Sequence, residues 1–257
     1  MNQHFNISRF GLLLRKHVGE HMRSYLMGTG VLAGVLALAL GGLTYLARQP
    51  LEANTQVALF SFFLMLSGAV FTSTVFEALG DQRRAVPALL LPASHLEKYL
   101  VVWLLSLPVF LVVFTAVFFA VDALTIQLAG GIVSGLLLDF SNRPGDLNSI
   151  LLYFALVHGV SLWGAIYFQR LHVIRTAFTA FGLLAVCSVL NFQVLKGLLS
   201  PDIRFAPPFA DMTLREGDQV FSLALGNSQT ALFGILALAL AVLFWLSAYA
   251  RLNEKQL

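Results

Sequence analysis

The chain has 257 residues, of which 58% are hydrophobic and 11% charged, and a net charge of +3. Soluble domains carry about 25% charged residues, so this composition, with a mean hydropathy of +0.81, excludes an ordinary soluble domain and points to a polytopic membrane protein. The basic residues do not gather into one patch, which removes nucleic acid as an expected partner, and the single cysteine, Cys187, can form neither an intrachain disulfide nor a thiolate metal site.

Residues 4–24 come first. Phe10, Leu13, Leu14, Val18 and Met22 follow a helical spacing, while Arg9, Arg15, Lys16, Glu20 and Arg23 fill much of the rest. This pattern predicts an amphipathic helix lying in the membrane interface against lipid phosphates, with packing on other protein as the alternative. It does not resemble a cleavable signal peptide, which needs a short basic start and an apolar core.

Six uncharged runs follow, at approximately 25–47, 56–76, 100–121, 149–167, 176–195 and 230–250. Each is long enough to cross about 30 Å of hydrocarbon as a helix. A seventh apolar run, 123–138, is short, follows Asp122 directly and is broken by Gly130 and Gly131. It is expected to be a partly embedded or interfacial piece outside the membrane. The chain thus reads as one transmembrane domain over residues 1–257 of the all-α polytopic class.

Placing the N-terminus inside puts Arg9, Arg15, Lys16, Arg23, Arg83, Arg84, Lys98, Arg170, Arg175, Arg251 and Lys255 on the inner side. Arg48, Arg143, Lys196, Arg204 and Arg215 are left outside. Basic residues favour the cytoplasm, so both termini and the 77–99 loop are expected to be cytoplasmic. The largest external loop is 191–229. Its first part, NFQVLKGLLS, is apolar enough to dip into the bilayer, making the region a candidate external gate.

Several chemistries lack their residues. His158 is the only histidine in a run, and no acidic residue falls within the six, so neither an intramembrane metal site nor a proton relay is expected. Ser134 in GGIVSG lacks the glycine two places before it that a nucleophile elbow requires, because Ile132 stands there. No GxxxxGK[ST] phosphate loop occurs, so no catalytic residues and no cofactor are expected in this chain. The first span carries Gly28, Gly30 and Gly34, which suit close helix packing within the chain or across a subunit interface.

The stretch 76–100, FEALGDQRRAVPALLLPASHLEKYL, is the main charged interruption of the oily sequence. Pro87 and Pro92 divide it, and Ser94-His-Leu-Glu97 fits a capping box that opens the third span. The pattern predicts a short helical elbow across the cytoplasmic face, with a leucine patch that needs lipid or a partner to cover it.

This stretch resembles the cytoplasmic loop of ABC transporter permeases of the type-2 exporter class. The residues that carry the resemblance are Glu77, Gly80, the leucines 89–91, Leu91-Pro92-Ala93-Ser94 and Lys98. The layout of an amphipathic N-terminal helix, six spans and a large last external segment is similar too. The pair Arg83-Arg84 departs from the family's acidic run. The resemblance implies a bacterial inner-membrane permease subunit working as a dimer with a second permease copy, and a cytosolic ABC ATPase that binds ATP and Mg. It implies a cytoplasmic coupling helix between spans two and three, with Glu77, Gly80, Asp81, Arg83, Arg84, Leu90, Pro92, Ser94, Glu97 and Lys98 at the ATPase contact. The helix bearing Phe10, Leu13, Leu14, Arg15, Lys16, Val18 and Met22 would brace it. A non-transporting membrane anchor or assembly factor is the alternative.

Overall fold

The computed structural model of the chain describes residues 5–80, 94–142, 144–168, 172–198, 203–205, 212–216, 219–223 and 227–254. Among them are six helices long and apolar enough to cross a membrane. The protein is an all-α polytopic membrane protein.

Helix α1 (Ile7–Ala47) starts at Asn6, whose side chain accepts from the Ser8 and Arg9 amides, and ends where Arg48 turns left-handed (φ 56°). The boundary expected between an interfacial helix at 4–24 and a span from 25 is not a break. The helix runs unbroken for 41 residues, about 60 Å, because no proline interrupts it. Its residues Phe10, Leu13, Leu14 and Val18 are half-buried, whereas Arg15, Lys16 and Met22 are exposed.

Helix α2 (Ala53–Gly80) returns across the bundle. Helix α3 (His95–Leu104) leads into a π-turn at Leu105–Val109 and on into α4 (Phe110–Leu128). Pro108 has no amide hydrogen to give, and the widened turn around it is how the helix continues. Gly130 (φ 75°) then ends α4. Its amide donates to Gln127 O and that of Gly131 to Ile126 O, both at 3.0 Å, in a Schellman arrangement. The run expected to be separate from 123 onward is therefore divided. Its first residues extend the third long helix, and only the part after the glycines forms the short α5 (Val133–Leu136).

Helix α6 (Pro144–Tyr167) is central, packing on α2, on α7 (His172–Leu198) and on α8 (Asn227–Glu254). The stretch 191–198, expected as an irregular dipping segment, is the helical end of α7. Beyond it, β1 (Ile203–Phe205), β2 (Met212–Glu216) and β3 (Gln219–Leu223) form an antiparallel sheet in the order β1-β2-β3. Thr213 lies opposite Ser222, and Leu214 opposite Phe221. This small sheet was not expected from the sequence.

The core has two parts. One is a ladder of rings in which Phe60 meets Phe118 at 5.0 Å, Phe71 meets Phe110 at 5.0 Å and Phe110 meets Phe154 at 6.1 Å. The other joins Phe76, Tyr99, Leu162, Ile166, Ala248 and Leu252. Lipid gives helices no hydrophobic reason to associate, so such close packing holds the bundle together. Two glycines permit it. A β-carbon on Gly68 would stand 3.1 Å from Phe154 Cζ and 3.2 Å from Phe110 Cε1, and one on Gly164 would stand 2.7 Å from Thr176 Cβ. Among the described residues nothing comes within 4 Å of a β-carbon at Gly28, Gly30 or Gly34, so those residues do not use the close approach the glycines allow.

Gly164→Ala or Gly68→Ala is expected to lower stability by about 1–3 kcal/mol through overpacking. Gly34→Ala is expected to be neutral or to stabilise by up to about 1 kcal/mol. Unfolding in detergent micelles measures all three.

Candidate functional site

The end of the bundle that carries the first turns of α1 and α3 is held by one carboxylate. Ser94 caps α3 by accepting from the Glu97 amide at 3.2 Å, and Glu97 Oε2 accepts from the Ser94 amide at 3.0 Å, completing the capping box. The other oxygen, Oε1, reaches across the sequence. It accepts from the Asn6 amide at 2.7 Å and from Arg9 Nη2 at 3.2 Å. Glu97 is fully buried, while the Arg9 side chain is 37% exposed. One carboxylate therefore binds the first turn of α1 to the first turn of α3, and it uses charge-assisted bonds to do so.

Around this latch the helix ends are tied by rings. Phe76 at the end of α2 lies 6.0 Å from Tyr99, and Tyr99 meets Tyr249 of α8 edge-on at 5.4 Å. The Tyr99 hydroxyl donates to the Trp245 carbonyl at 3.0 Å. On α1, His17 Nε2 pairs with the Tyr25 hydroxyl at 2.9 Å, and Tyr25 packs on Phe71 at 5.8 Å. The loop between α2 and α3 therefore starts and ends on one rigid platform.

The sequence-expected residues divide as follows. Ser94, Glu97 and Lys98 stand at the start of α3, where Glu97 and Lys98 are buried. Glu77 and Gly80 lie in the last turn of α2. Asp81, Arg83, Arg84, Leu90 and Pro92 fall outside the described residues. Sequence reasoning missed the pairing of Arg9 with Glu97, since nothing in either local pattern reports a partner 88 positions away.

A second polar cluster lies inside the bundle. His158 of α6 is fully buried, with Nε2 2.8 Å from Ser106 Oγ and Nδ1 3.1 Å from Trp245 Nε1. The indole can only donate, so Nδ1 accepts and the neutral ring carries its hydrogen on Nε2. The ring then donates to Ser106, whose own hydroxyl donates to the Trp103 carbonyl at 3.2 Å. Every polar atom of the chain of contacts is used. In this arrangement His158 has no lone pair facing Ser106, so it is a packing histidine that joins α6, α8 and the π-turn. The side chain of Ser134 is outside the described residues.

Among the described residues no three His, Cys, Asp or Glu side chains come together as a metal site. Outside the spans, hydrogen bonds from the Ser141 hydroxyl and then its amide hold the exposed Asp139 carboxyl below the usual range. Comparison with protein-family models, with curated proteins and with solved structures finds no match.

Glu97→Gln keeps the size of the side chain but removes the charge. It is expected to cost about 1–3 kcal/mol and to speed tryptic cleavage at Arg15 and Lys16 as α1 frees its first turns. His158→Leu strands the Trp245 N–H in a dry interior, and unfolding is expected to show a loss of about 1–3 kcal/mol.

Proposed function

We propose that this chain is the membrane-spanning permease subunit of an ABC exporter in a bacterial inner membrane, with both termini cytoplasmic. In this reading it works as a dimer and is driven by a separate ATPase docked on the 77–99 loop. The observation that carries it is the Glu97 latch. A docking loop drives a bundle only if force at the loop reaches more than one helix. Glu97 joins the end of that loop to α1, and Phe76 and Tyr99 join its two ends to each other and to α8.

Further support comes from the loop's own residues. Its sequence sets the leucines 89–91 close to the pair Arg83-Arg84, a composition that suits a cleft in a soluble partner better than open water. ATP and Mg belong to that partner. A second copy completes the pathway, and the unused glycine face of α1 offers it a close seat.

The test is an affinity pull-down in mild detergent, comparing wild type with Arg83→Glu/Arg84→Glu and reading ATPase activity in the eluate. Wild type is expected to bring down an ATPase, and the double variant to lose most of it while melting at the wild-type temperature. Wild type that retains a stable partner without ATPase activity would instead favour the anchor reading.

A further inference from the structure

The outer half of the bundle buries a carboxylate that none of the contacts above uses. Asp122 sits on the inward stripe of α4 with Phe114, Phe118 and Thr125, and is 1% exposed. Its Oδ2 has no hydrogen-bond partner among the described residues. The Thr125 hydroxyl does not serve it, since that group donates to the Asp122 carbonyl at 2.8 Å.

A second orphan stands at the same level. Gln56, on the first turns of α2, is fully buried. Its amide nitrogen donates to the carbonyls of Leu51 and Leu136, each at 2.9 Å. Both N–H hydrogens are thereby used and the amide orientation is fixed, yet Gln56 Oε1 has no donor among the described residues. The ring contacts give the register of the two helices. Phe60 meets Phe118 and Phe71 meets Phe110, so α2 and α4 run antiparallel. One turn outward from Phe60 is Gln56, and one turn outward from Phe118 is Asp122.

Two buried acceptors, each one turn beyond the Phe60–Phe118 contact, cannot satisfy each other, and leaving both unpaired is costly. One hydrogen resolves both, provided that it sits on the carboxyl. We propose that Asp122 and Gln56 form a proton-binding site between α2 and α4, with Asp122 taking one proton from water and donating it as an O–H hydrogen bond to Gln56 Oε1.

The surroundings suit a neutral acid. At this level α1 brings Leu40, Gly41 and Thr44, α2 brings Phe60, and the chain after α4 brings Leu136 and Leu138. None of these is charged. Arg48 and Glu52 lie on the exposed turn between α1 and α2. No charged group among the described residues acts on the Asp122 carboxyl. Buried acids in spans are expensive and are found where protons or ions bind. This site is independent of the ATPase reading.

Infrared spectroscopy of the full chain in lipid vesicles at neutral pH tests it, using wild type grown on isotope-labelled aspartate. A carboxylic-acid C=O band that shifts with the label is expected. It should vanish in Asp122→Asn, which melts like wild type because the asparagine N–H can donate as the acid does. It should move, but persist, in Gln56→Met. If no label-sensitive acid band appears in wild type, Asp122 is ionised and the proposal is wrong. A bridging water leaves it so, and so does a sodium ion, whose binding would show as a rise in melting temperature with sodium over choline chloride. The labelled wild-type spectrum alone decides, even if a variant does not fold.

Discussion

In hydrocarbon a leucine gains nothing by hiding from lipid, so this bundle depends on how closely its helices fit and on whether every buried polar atom finds a partner within the chain. The fit is made by rings against glycines. Phe154 lies over Gly68 and Thr176 lies over Gly164, and the phenylalanine ladder fills the space between α2, α4 and α6. Half of the most apolar stretch of α6 is buried, against 6% for α7. That contrast marks α6 as the post around which the rest is arranged and α7 as a helix that faces outward.

The polar requirement is met differently at three depths. Where α1 and α3 begin, Glu97 is an ionised acceptor with three donors around it, the Asn6 amide and the Arg9 guanidinium from α1 and the Ser94 amide from its own cap. In the middle, His158 stays neutral because the Trp245 N–H claims its Nδ1, and the hydrogen on Nε2 then closes onto Ser106. Near the opposite end, Asp122 Oδ2 and Gln56 Oε1 are acceptors without donors among the described residues. The first two are self-contained and therefore structural. The third lacks a hydrogen, and in a dry setting an absent donor points to something the site takes up.

Much of the fold was legible in the sequence because its signals are local. Six uncharged runs marked six helices, and Ser94-His-Leu-Glu97 marked a cap that the structure forms. Pro108, inside the run 100–121, was not read as a break, and the structure shows the π-turn around it. What was not legible depends on register between distant helices. The Arg9–Glu97 bond and the level shared by Asp122 and Gln56 follow from how α1, α2, α3 and α4 cross. Asp122 was visible as a residue but was read as the end of a span, since charge usually marks the water. The helix passes through it because Gly130, eight residues later, is the first residue able to end it. The short strands after α7 carry too little apolar alternation to stand out from turn-rich sequence.

These features meet on one element. The helix from His95 to Leu128 has the Glu97 latch in its first turn, the inner end in the proposed orientation, the π-turn near its middle and Asp122 toward its last turns, the outer end in that orientation. Glu97 and Asp122 are separated by about 37 Å of helix. A straight α-helix of that length would move as a rod, so a disturbance at the loop would reach the outer end undiminished. The π-turn changes this, because Pro108 removes a backbone hydrogen bond and gives the helix a place to bend. His158 pins the bend to α6 through Ser106, and α6 is the best-packed helix in the bundle. The inner segment is fastened to α1 by Glu97 and the outer segment packs on α2 through Phe118 and Phe60, so a tilt of one against the other would pivot at the π-turn. The α2–α4 crossing, where Gln56 and Asp122 lie, is where such a tilt would be felt most. If Asp122 carries the proposed proton, its hydrogen bond to Gln56 would tie α4 to α2 at that level, a tie that a bare carboxylate could not make. In the proposed exporter, a motion that begins at the ATPase loop would thus have its outer stop at a site whose protonation holds α2 and α4 together.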